Sequence, residues 1–175
     1  MQSQNFERGD LDDLFAVTYE ELRRLASTVK RSDGSATLNP TALVNEAWIK
    51  LANSPPFSTT SRLHFKRIAA RAMRQVLVEA ARRRDAHKRG GELMPALVAF
   101  DESMAPINCH RDLIVLDTAL DELARIEPRQ ALMVESRFFG GLEVDEIAEM
   151  LEVSRATIVR DWRAAKAWLA HELRR

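Results

Sequence analysis

Apolar side chains recur at intervals of three and four residues along most of this chain, and that spacing restricts what it can fold into. Such a repeat lines one face of an α-helix, whereas a half-buried strand needs an apolar residue at every second position. Leu, Ala, Arg and Glu, which helices tolerate or favour, are abundant, while only six Gly and six Pro occur in 175 residues. The sequence therefore predicts an all-α protein.

Seven segments carry this repeat, and breaks rich in Gly, Pro, Ser or Asn separate them. Their apolar faces predict helices at about 11–29, 40–52, 61–86, 112–125, 128–138, 144–151 and 155–169. The stretch 90–111 has two glycines, two prolines and no sustained periodicity. A structureless stretch of that length is unusual inside one compact domain. We therefore expect two small helical domains, 1–89 and 112–175, joined by a flexible linker at 90–111.

The charges are unevenly distributed along a chain whose net charge is zero. Residues 62–89 carry ten Lys and Arg against two acidic residues, a net of +8. Residues 112–151 carry ten acidic residues against three Arg, a net of −7, and residues 152–175 carry six basic against three acidic residues, a net of +3. Patches of opposite sign on a neutral chain indicate surfaces with different partners.

The residues that most often make metal, redox or catalytic sites are sparse. Cys109 is the only cysteine, and the four histidines do not have the spacing of known metal motifs. The N-terminus is polar and acidic, and no apolar run approaches the roughly 20 residues of a membrane span. We expect a cytoplasmic protein that is not an enzyme, binds no metal or cofactor and has no membrane partner.

The strongest local pattern lies at 143–169, where a turn joins a short amphipathic segment to a longer one. Ser154 can cap the second helix by accepting a backbone N–H one turn further on, and Ala148 is small where the two helices should cross. The pattern predicts a helix-turn-helix whose second helix enters the major groove of DNA. The residues expected on its DNA-facing side are Ser154, Arg155, Thr157, Arg160, Arg163 and Lys166.

Two observations bear on this helix-turn-helix prediction. Glu152 occupies a turn position that commonly carries Gly, and a positive φ there would cost Glu about 1 kcal/mol relative to Gly. Basic helix faces are also often simply solvated, so a plain helical hairpin is the structural alternative.

The predicted helix at 61–86 carries a second basic surface. Arg67, Arg71 and Arg74 share one face because they are spaced by four and three residues, and residues 82–84 form a dense positive block. Such a row can follow a phosphate backbone, with salt-sensitive binding. The alternatives are a solvated basic face and an RNA-binding tail.

Three stretches of the sequence together resemble the extracytoplasmic-function (ECF) sigma factors, and the likeness covers nearly the whole chain. LNPTALVNEAWIKLA is similar to the family's helix that binds core RNA polymerase. HFKRIAARAMRQVLVEAARRRDAHKRGG is similar to its −10-reading segment. LDELARIEPRQALMVESRFFGGLEVDEIAEMLEVSRATIVRDWRAAKAWLAHEL is similar to its −35-reading domain and is the most specific of the three.

The resemblance implies a dissociable polymerase subunit that confers promoter choice, with core RNA polymerase, double-stranded promoter DNA and the opened −10 strand as partners. Core polymerase would be bound through Leu43, Val44, Glu46, Ala47, Trp48 and Leu51. The −10 region would be held by Arg67, Arg71, Arg74, Gln75, Arg82, Arg83 and Arg84. The second domain would read the −35 element, and its acidic, apolar first half would dock on the polymerase flap.

The family usually carries several acidic residues at the start of the polymerase-binding helix, where this chain has residues 39–42 without an acid. This departure predicts that a phosphate supplies the missing charge, with Thr41 as the first candidate and Ser35 and Thr37 as neighbouring alternatives. Control by a Ser/Thr protein kinase and control by an anti-sigma factor both stay open.

Two other classes of protein compete with this interpretation. A stand-alone helix-turn-helix regulator would normally dimerise and would need neither the basic helix at 62–89 nor the helix at 40–52. A nucleic-acid enzyme should show clustered carboxylates or histidines near its basic surface, and residues 62–89 offer only Glu79, Asp85, His64 and His87.

Overall fold

The computed structural model describes residues 13, 15–16, 19–20, 22–23, 40–53, 61–87 and 110–173, without the side chains of residues 40, 84, 87 and 110–112. The regular structure within these residues is helical, with no strand, so the all-α prediction is confirmed. In the described part from residue 40 onward the helices are α1 (Pro40–Ala52), α2 (Arg62–His87), α3 (His110–Ile126), α4 (Pro128–Gly140), α5 (Val144–Met150) and α6 (Arg155–Glu172). None of the helices in the described ranges is long and apolar enough to cross a membrane.

The helices expected from residue 40 onward are confirmed, with small differences at their ends. Helix α3 begins at His110, two residues before the predicted start, and α6 continues to Glu172, three residues past the predicted end. The first predicted helix, at 11–29, is described at seven positions, all of them helical. The predicted linker lies outside the described residues from 90 to 109, and its domain boundary stays a prediction.

Helices α1 and α2 pack against each other around an apolar core. Both helices contribute side chains that are at most 8% exposed: Leu43, Val44, Ala47, Leu51, Phe65, Ala69, Ala72, Met73 and Val76. Leu22 joins this core, and the Phe15 ring stacks on Trp48 with 4.4 Å between ring centroids. Since burying one large apolar side chain contributes about 1.5–3 kcal/mol, this apolar face is the main link between α1 and α2. The ion pair of Lys50 with Glu79 adds a polar contact between the same helices.

Helices α3 to α6 enclose a second and larger core. Its fully buried members come from all four helices and include Leu116, Leu120, Leu123, Met133, Phe139, Ile147, Ile158 and Leu169. Gly141 follows the last residue of α4 and caps the helix. Its φ of 62° is the left-handed conformation that closes many helices. The Gly141 N–H donates to the Arg137 carbonyl and the Leu142 N–H to the Ser136 carbonyl, which turns the chain toward α5.

Helix α2 is buried on two sides. Ala70, which is 0% exposed, belongs to the core of α3–α6 rather than to the core shared with α1. It meets Gly140 so closely that a Cβ on the glycine would lie 3.0 Å from the Ala70 Cβ. The sequence pattern did not predict this contact between α2 and the second half of the chain.

Candidate nucleic-acid interface

Backbone hydrogen bonds to capping side chains and one left-handed residue shape the segment from the start of α5 to the start of α6. The Glu146 carboxylate accepts the Glu143 N–H at 2.8 Å and closes a capping box at the start of α5. Glu152 has a φ of 54°, the left-handed conformation that is more often occupied by Gly at this turn position. The Ser154 Oγ accepts the Thr157 N–H at 3.1 Å, so Ser154 caps α6 as predicted. These contacts fix the direction in which α6 leaves the turn.

Helix α6 has a buried apolar side and an exposed basic side. Ile158, Ala165 and Leu169 are at most 1% exposed. Trp162 is half-buried, and the Arg137 guanidinium lies 5.1 Å from its ring centroid. The opposite side carries the residues predicted to contact DNA, of which Arg155, Arg160 and Arg163 are exposed and Thr157 and Lys166 half-buried.

The three exposed arginines of α6 differ in how they are engaged. The Arg155 guanidinium donates to both carboxylate oxygens of Asp145, at 2.8 and 2.7 Å. Arg160 is 74% exposed and lies 3.9 Å from the Asp161 carboxylate, at the limit of an ion pair. Arg163 makes no ion pair with any residue that the structure describes. Arg160 and Arg163 are therefore the cations most available to an incoming phosphate or base edge.

An acidic residue on the buried side of α6 was not singled out by the sequence pattern. Asp161 is 5% exposed, and its Oδ2 accepts a hydrogen bond from the Arg129 Nε at 2.8 Å. The Arg129 Nη2 lies 2.8 Å from the same oxygen, which completes an ion pair. This pair fastens α6 to the start of α4. An acid in the middle of the basic α6 was the available sequence signal, but its partner lies 32 residues away.

Helix α2 brings most of its predicted DNA-contacting residues to the surface. Arg71, Gln75, Arg82 and Arg83 are exposed, and the Arg84 side chain lies outside the described residues. Arg67 is half-buried, and its Nη2 lies 3.1 Å from the His64 Nε2. Partial burial and then the neighbouring Arg67 charge lower the pKa of His64, so the neutral imidazole can accept this N–H.

Arg74 does not point to solvent, although the row of three arginines predicted an exposed position. Its side chain is 12% exposed, and three carboxylates surround it. The Arg74 Nε donates to the Asp117 Oδ1 at 2.9 Å, Nη2 to the Asp121 Oδ1 at 2.7 Å, and Nη1 to the Glu135 Oε2 at 2.8 Å. Burial alone would lower the pKa of Arg74, but the Glu135 hydrogen bond and the Asp117 charge raise it overall. Arg74 therefore stays charged and paired with α3 and α4.

Two further cations of α2 pair with acids from the second half of the chain. The Arg82 Nη2 lies 3.0 Å from the Asp117 Oδ2. Lys66 is 5% exposed, and its Nζ donates to the Glu146 Oε1 at 2.9 Å. Burial would raise the pKa of Glu146, but the hydrogen bond from Lys66 and that from the Glu143 backbone lower it overall.

The residues predicted to bind core polymerase divide into buried and accessible ones. Leu43, Val44, Ala47 and Leu51 are 1–8% exposed and pack in the core between α1 and α2. Their apolar side chains hold the two helices together, so they offer no free surface to a partner. Glu46 is exposed and Trp48 half-buried. The pattern missed Ile49, which is 51% exposed on the outer face of α1.

The exposed basic faces of α2 and α6 are suited to contact the phosphates and base edges of nucleic acid. Among the described residues, no group of three or more His, Cys, Asp or Glu could hold a metal ion. The sequence model of the ECF sigma factor family matches residues 1–175, the whole chain. This protein belongs to the ECF sigma factor family, and its role is in transcription initiation. No curated protein and no solved structure matches the sequence.

Proposed function

We propose that this protein binds core RNA polymerase and directs initiation at promoters that it selects through two DNA-contacting helices. One observation carries the proposal: in a chain that matches the ECF sigma factor family over its whole length, α6 exposes Arg160 and Arg163 opposite a buried apolar side. A helix of this kind fits the major groove, where arginine can bond guanine edges or phosphates.

In this proposal the two halves of the chain bind different parts of the promoter. Residues 1–89 bind polymerase and the −10 region, residues 90–111 link the halves, and residues 112–175 form a helix-turn-helix domain that reads the −35 element. The exposed cations and amide of α2, Arg71, Gln75 and Arg83, are suited to the opened −10 strand. Arg74 can contribute only after its carboxylate partners on α3 and α4 release it, whereas the Arg82 side chain is 61% exposed although it pairs with Asp117.

The polymerase-binding surface is the outer face of α1. Asn45, Glu46 and Ile49 are the exposed residues of that face, and Ile49 is the large apolar one. The four buried residues, Leu43, Val44, Ala47 and Leu51, act indirectly by fixing α1 on α2. An exposed apolar residue at the centre of a protein–protein interface is a common site of strong binding.

A core-polymerase binding assay tests this surface. Replacing Ile49 with Glu should weaken the affinity for core polymerase at least about tenfold, or about 1.4 kcal/mol. The matched control is Ala167→Glu, which adds the same charge at an exposed position on α6. If the two variants bound core polymerase with equal affinity, the outer face of α1 would not be part of the polymerase interface.

We further propose that phosphorylation of Thr41 by a Ser/Thr kinase strengthens binding to polymerase. Helix α1 begins at Pro40 and has no acidic residue in its first turn. Thr41 is half-buried in that turn. A phosphate there would add about −1.5 to −2 charges, and its interaction with the helix dipole would contribute about 0.3–1 kcal/mol.

The Thr41 proposal is tested by the core-polymerase affinities of the unmodified protein, the Thr41→Ala variant and protein phosphorylated at Thr41. We expect weak binding by the first two and tighter binding by the third, with phosphatase treatment reversing the gain. Tight binding by all three would end the phosphorylation proposal, and an anti-sigma factor would then be the better candidate for control.

A further inference from the structure

Asp161 of α6 has two carboxylate oxygens with different surroundings. The Oδ2 accepts a hydrogen bond from the Arg129 Nε at 2.8 Å and lies at the same distance from the Arg129 Nη2. The Oδ1 accepts no hydrogen bond from any residue that the structure describes. Buried acceptor oxygens are nearly always hydrogen-bonded, and Asp161 is only 5% exposed. The Oδ1 is therefore free to accept a hydrogen bond in the DNA-bound state.

A second cation, the Arg160 guanidinium, lies beside this free oxygen. The Arg160 Nε is 3.9 Å from the Asp161 Oδ1, and the Arg160 side chain is 74% exposed on the DNA-facing side of α6. An ordinary N–H···O hydrogen bond is about 2.9 Å long, so a shift of the guanidinium by about 1 Å would form one. The two terminal nitrogens of Arg160 would then stay available to the O6 and N7 of a guanine.

We propose that Asp161 is a positioning residue for −35 recognition, whose Oδ1 accepts the Arg160 Nε–H when Arg160 binds a guanine. The proposal rests on the proposed function in one respect, namely that Arg160 reads a base of the −35 element. Asp161 is too buried to contact DNA itself, so it acts through Arg160.

A fixed carboxylate beside an arginine changes what that arginine recognises. An exposed arginine samples many rotamers, and fixing it on a base has an entropic cost. When the Asp161 Oδ1 holds the Nε, the plane of the Arg160 guanidinium is set before it meets the base edge. Guanine presents two acceptors to such a fork, whereas adenine presents one acceptor and one donor. Asp161 should therefore increase the preference for guanine more than it increases the overall affinity.

Arg129 of α4 keeps the Asp161 carboxylate in place. Its contact with the Oδ2 fixes the direction of the Oδ1 and neutralises a buried charge that would otherwise repel DNA phosphates. Helix α4 thereby influences the base pair that α6 reads, through contacts that run from Arg129 to Asp161 to Arg160.

A purely structural Asp161 would behave differently in a binding experiment. If Asp161 only fastens α6 to α4, its replacement weakens binding to every −35 sequence by the same factor. If it positions Arg160, its replacement reduces the ratio of the affinities for guanine and adenine at one base pair. This ratio, which we call the guanine preference, separates the two roles.

The test uses the full chain and a duplex that the protein selects from a pool of random sequences. Fluorescence anisotropy measures the affinity for this duplex and for each of its single base-pair variants. The base pair read by Arg160 is the one at which Arg160→Ala abolishes the guanine preference. Asp161→Asn is then compared with Asp13→Asn, the same substitution at an exposed position near the N-terminus.

We expect Asp161→Asn to lower the guanine preference at this base pair at least about fivefold, because the amide directs its oxygen at Arg129 and its amino group at the Arg160 Nε–H. The preferences at the other base pairs should stay unchanged, and Asp13→Asn should keep the wild-type guanine preference. A wild-type guanine preference in Asp161→Asn, with or without a uniform loss of affinity, would overturn the proposal.

The double variant Arg129→Gln/Asp161→Asn guards against misfolding, because it replaces the buried ion pair with two neutral amides and leaves no unpaired charge. It should lose the guanine preference to the same extent as Asp161→Asn. If Arg160→Ala changes no base preference, Arg160 does not read a base, and the −35 assignment and the positioning role fail together. If Arg160→Ala abolishes a preference that both Asp161 variants retain, the positioning role alone fails.

Discussion

Glu152 occupies a backbone conformation that suits glycine better than any residue with a side chain. Its φ of 54° lies in the left-handed region, where a Cβ crowds the neighbouring carbonyl oxygen. The conformation lets the Val153 N–H donate to the Ala148 carbonyl at 3.0 Å as the chain leaves α5. The turn before α6 therefore includes one strained backbone conformation, at Glu152.

Replacing Glu152 with Gly should raise the free energy of unfolding by up to about 1 kcal/mol, because glycine removes the strain although it makes the unfolded chain more flexible. Urea unfolding measures the change. The control is Glu149→Gly inside α5, which should lower the free energy of unfolding by about 0.5–1 kcal/mol. Destabilisation by both substitutions would mean that the side chain of Glu152 makes a favourable contact that outweighs the strain.

Arg160 and Arg163 should each contribute to DNA recognition in their own right. Replacing either with Ala should cost about 1–3 kcal/mol of binding to the −35 element and relax specificity at one base pair, if the side chain reads a base. Affinities for a series of −35 variants measure this. Arg125→Ala, an exposed arginine at the end of α3, is the control and should change little. A uniform loss across the variants would identify a phosphate contact, and no loss would refute the assignment.

At the scale of helices, the Arg129–Asp161 pair is the polar link between α4 and α6. Arg129→Ala leaves the Asp161 carboxylate, 6% exposed, without its partner. We expect a loss of about 1–3 kcal/mol in the free energy of unfolding, because Arg129 is 47% exposed and solvent screens the pair.

The control for this prediction is the exposed pair of Arg155 and Asp145, with side chains 66% and 69% exposed. Arg155→Ala should cost about 0–1 kcal/mol in the same urea experiment. If Arg129→Ala were no more destabilising than Arg155→Ala, packing alone would hold α6 on α4.

The link between α2 and α5 should depend on pH. The pKa of Glu146 is lowered in the folded protein, so its contribution is present above the usual glutamate pKa of about 4.3 and is lost as the pH falls through the lower folded value. Urea unfolding of wild type and Glu146→Gln between pH 7 and about pH 3.5 measures this. The wild type should be more stable at pH 7, and the difference should shrink toward the acid end. A difference that does not change with pH would contradict the Lys66–Glu146 assignment.

The helices could be predicted from the sequence, whereas the contacts between distant helices could not. Local periodicity and capping residues determine where α1 to α6 begin and end, and Ser154 caps α6 as its position predicted. Arg74 illustrates the limit. Its spacing from Arg67 and Arg71 indicates a shared face, but its partners lie 43 to 61 residues away, and no local pattern encodes that distance.

The same limit applies to the prediction for α1. Amphipathic spacing identified Leu43 and Val44 as one apolar face, but it could not tell whether that face meets polymerase or another part of the chain. The structure buries it against α2 and exposes Ile49 instead. A pattern in one segment shows that an apolar face needs a partner without showing which partner it has.

Across the whole molecule, the basic surfaces of α2 and α6 differ in how far their arginines are paired with carboxylates. Helix α6 exposes Arg160 and Arg163, whereas Arg74 and Arg82 of α2 are paired with carboxylates from α3 and α4. In the proposed function, Arg160 and Arg163 are available to the −35 element, whereas Arg74 can contact the −10 region only after its carboxylate partners release it.

Run-off transcription with core RNA polymerase on genomic templates tests whether this protein directs initiation at selected promoters. We expect transcripts with defined 5′ ends that require this protein and that become weaker when Arg160 and Arg163 are replaced with Ala. The Arg125→Ala control should give wild-type transcripts. If the protein binds duplex DNA as a dimer and yields no dependent transcript with core polymerase, it is a stand-alone regulator and the account is wrong.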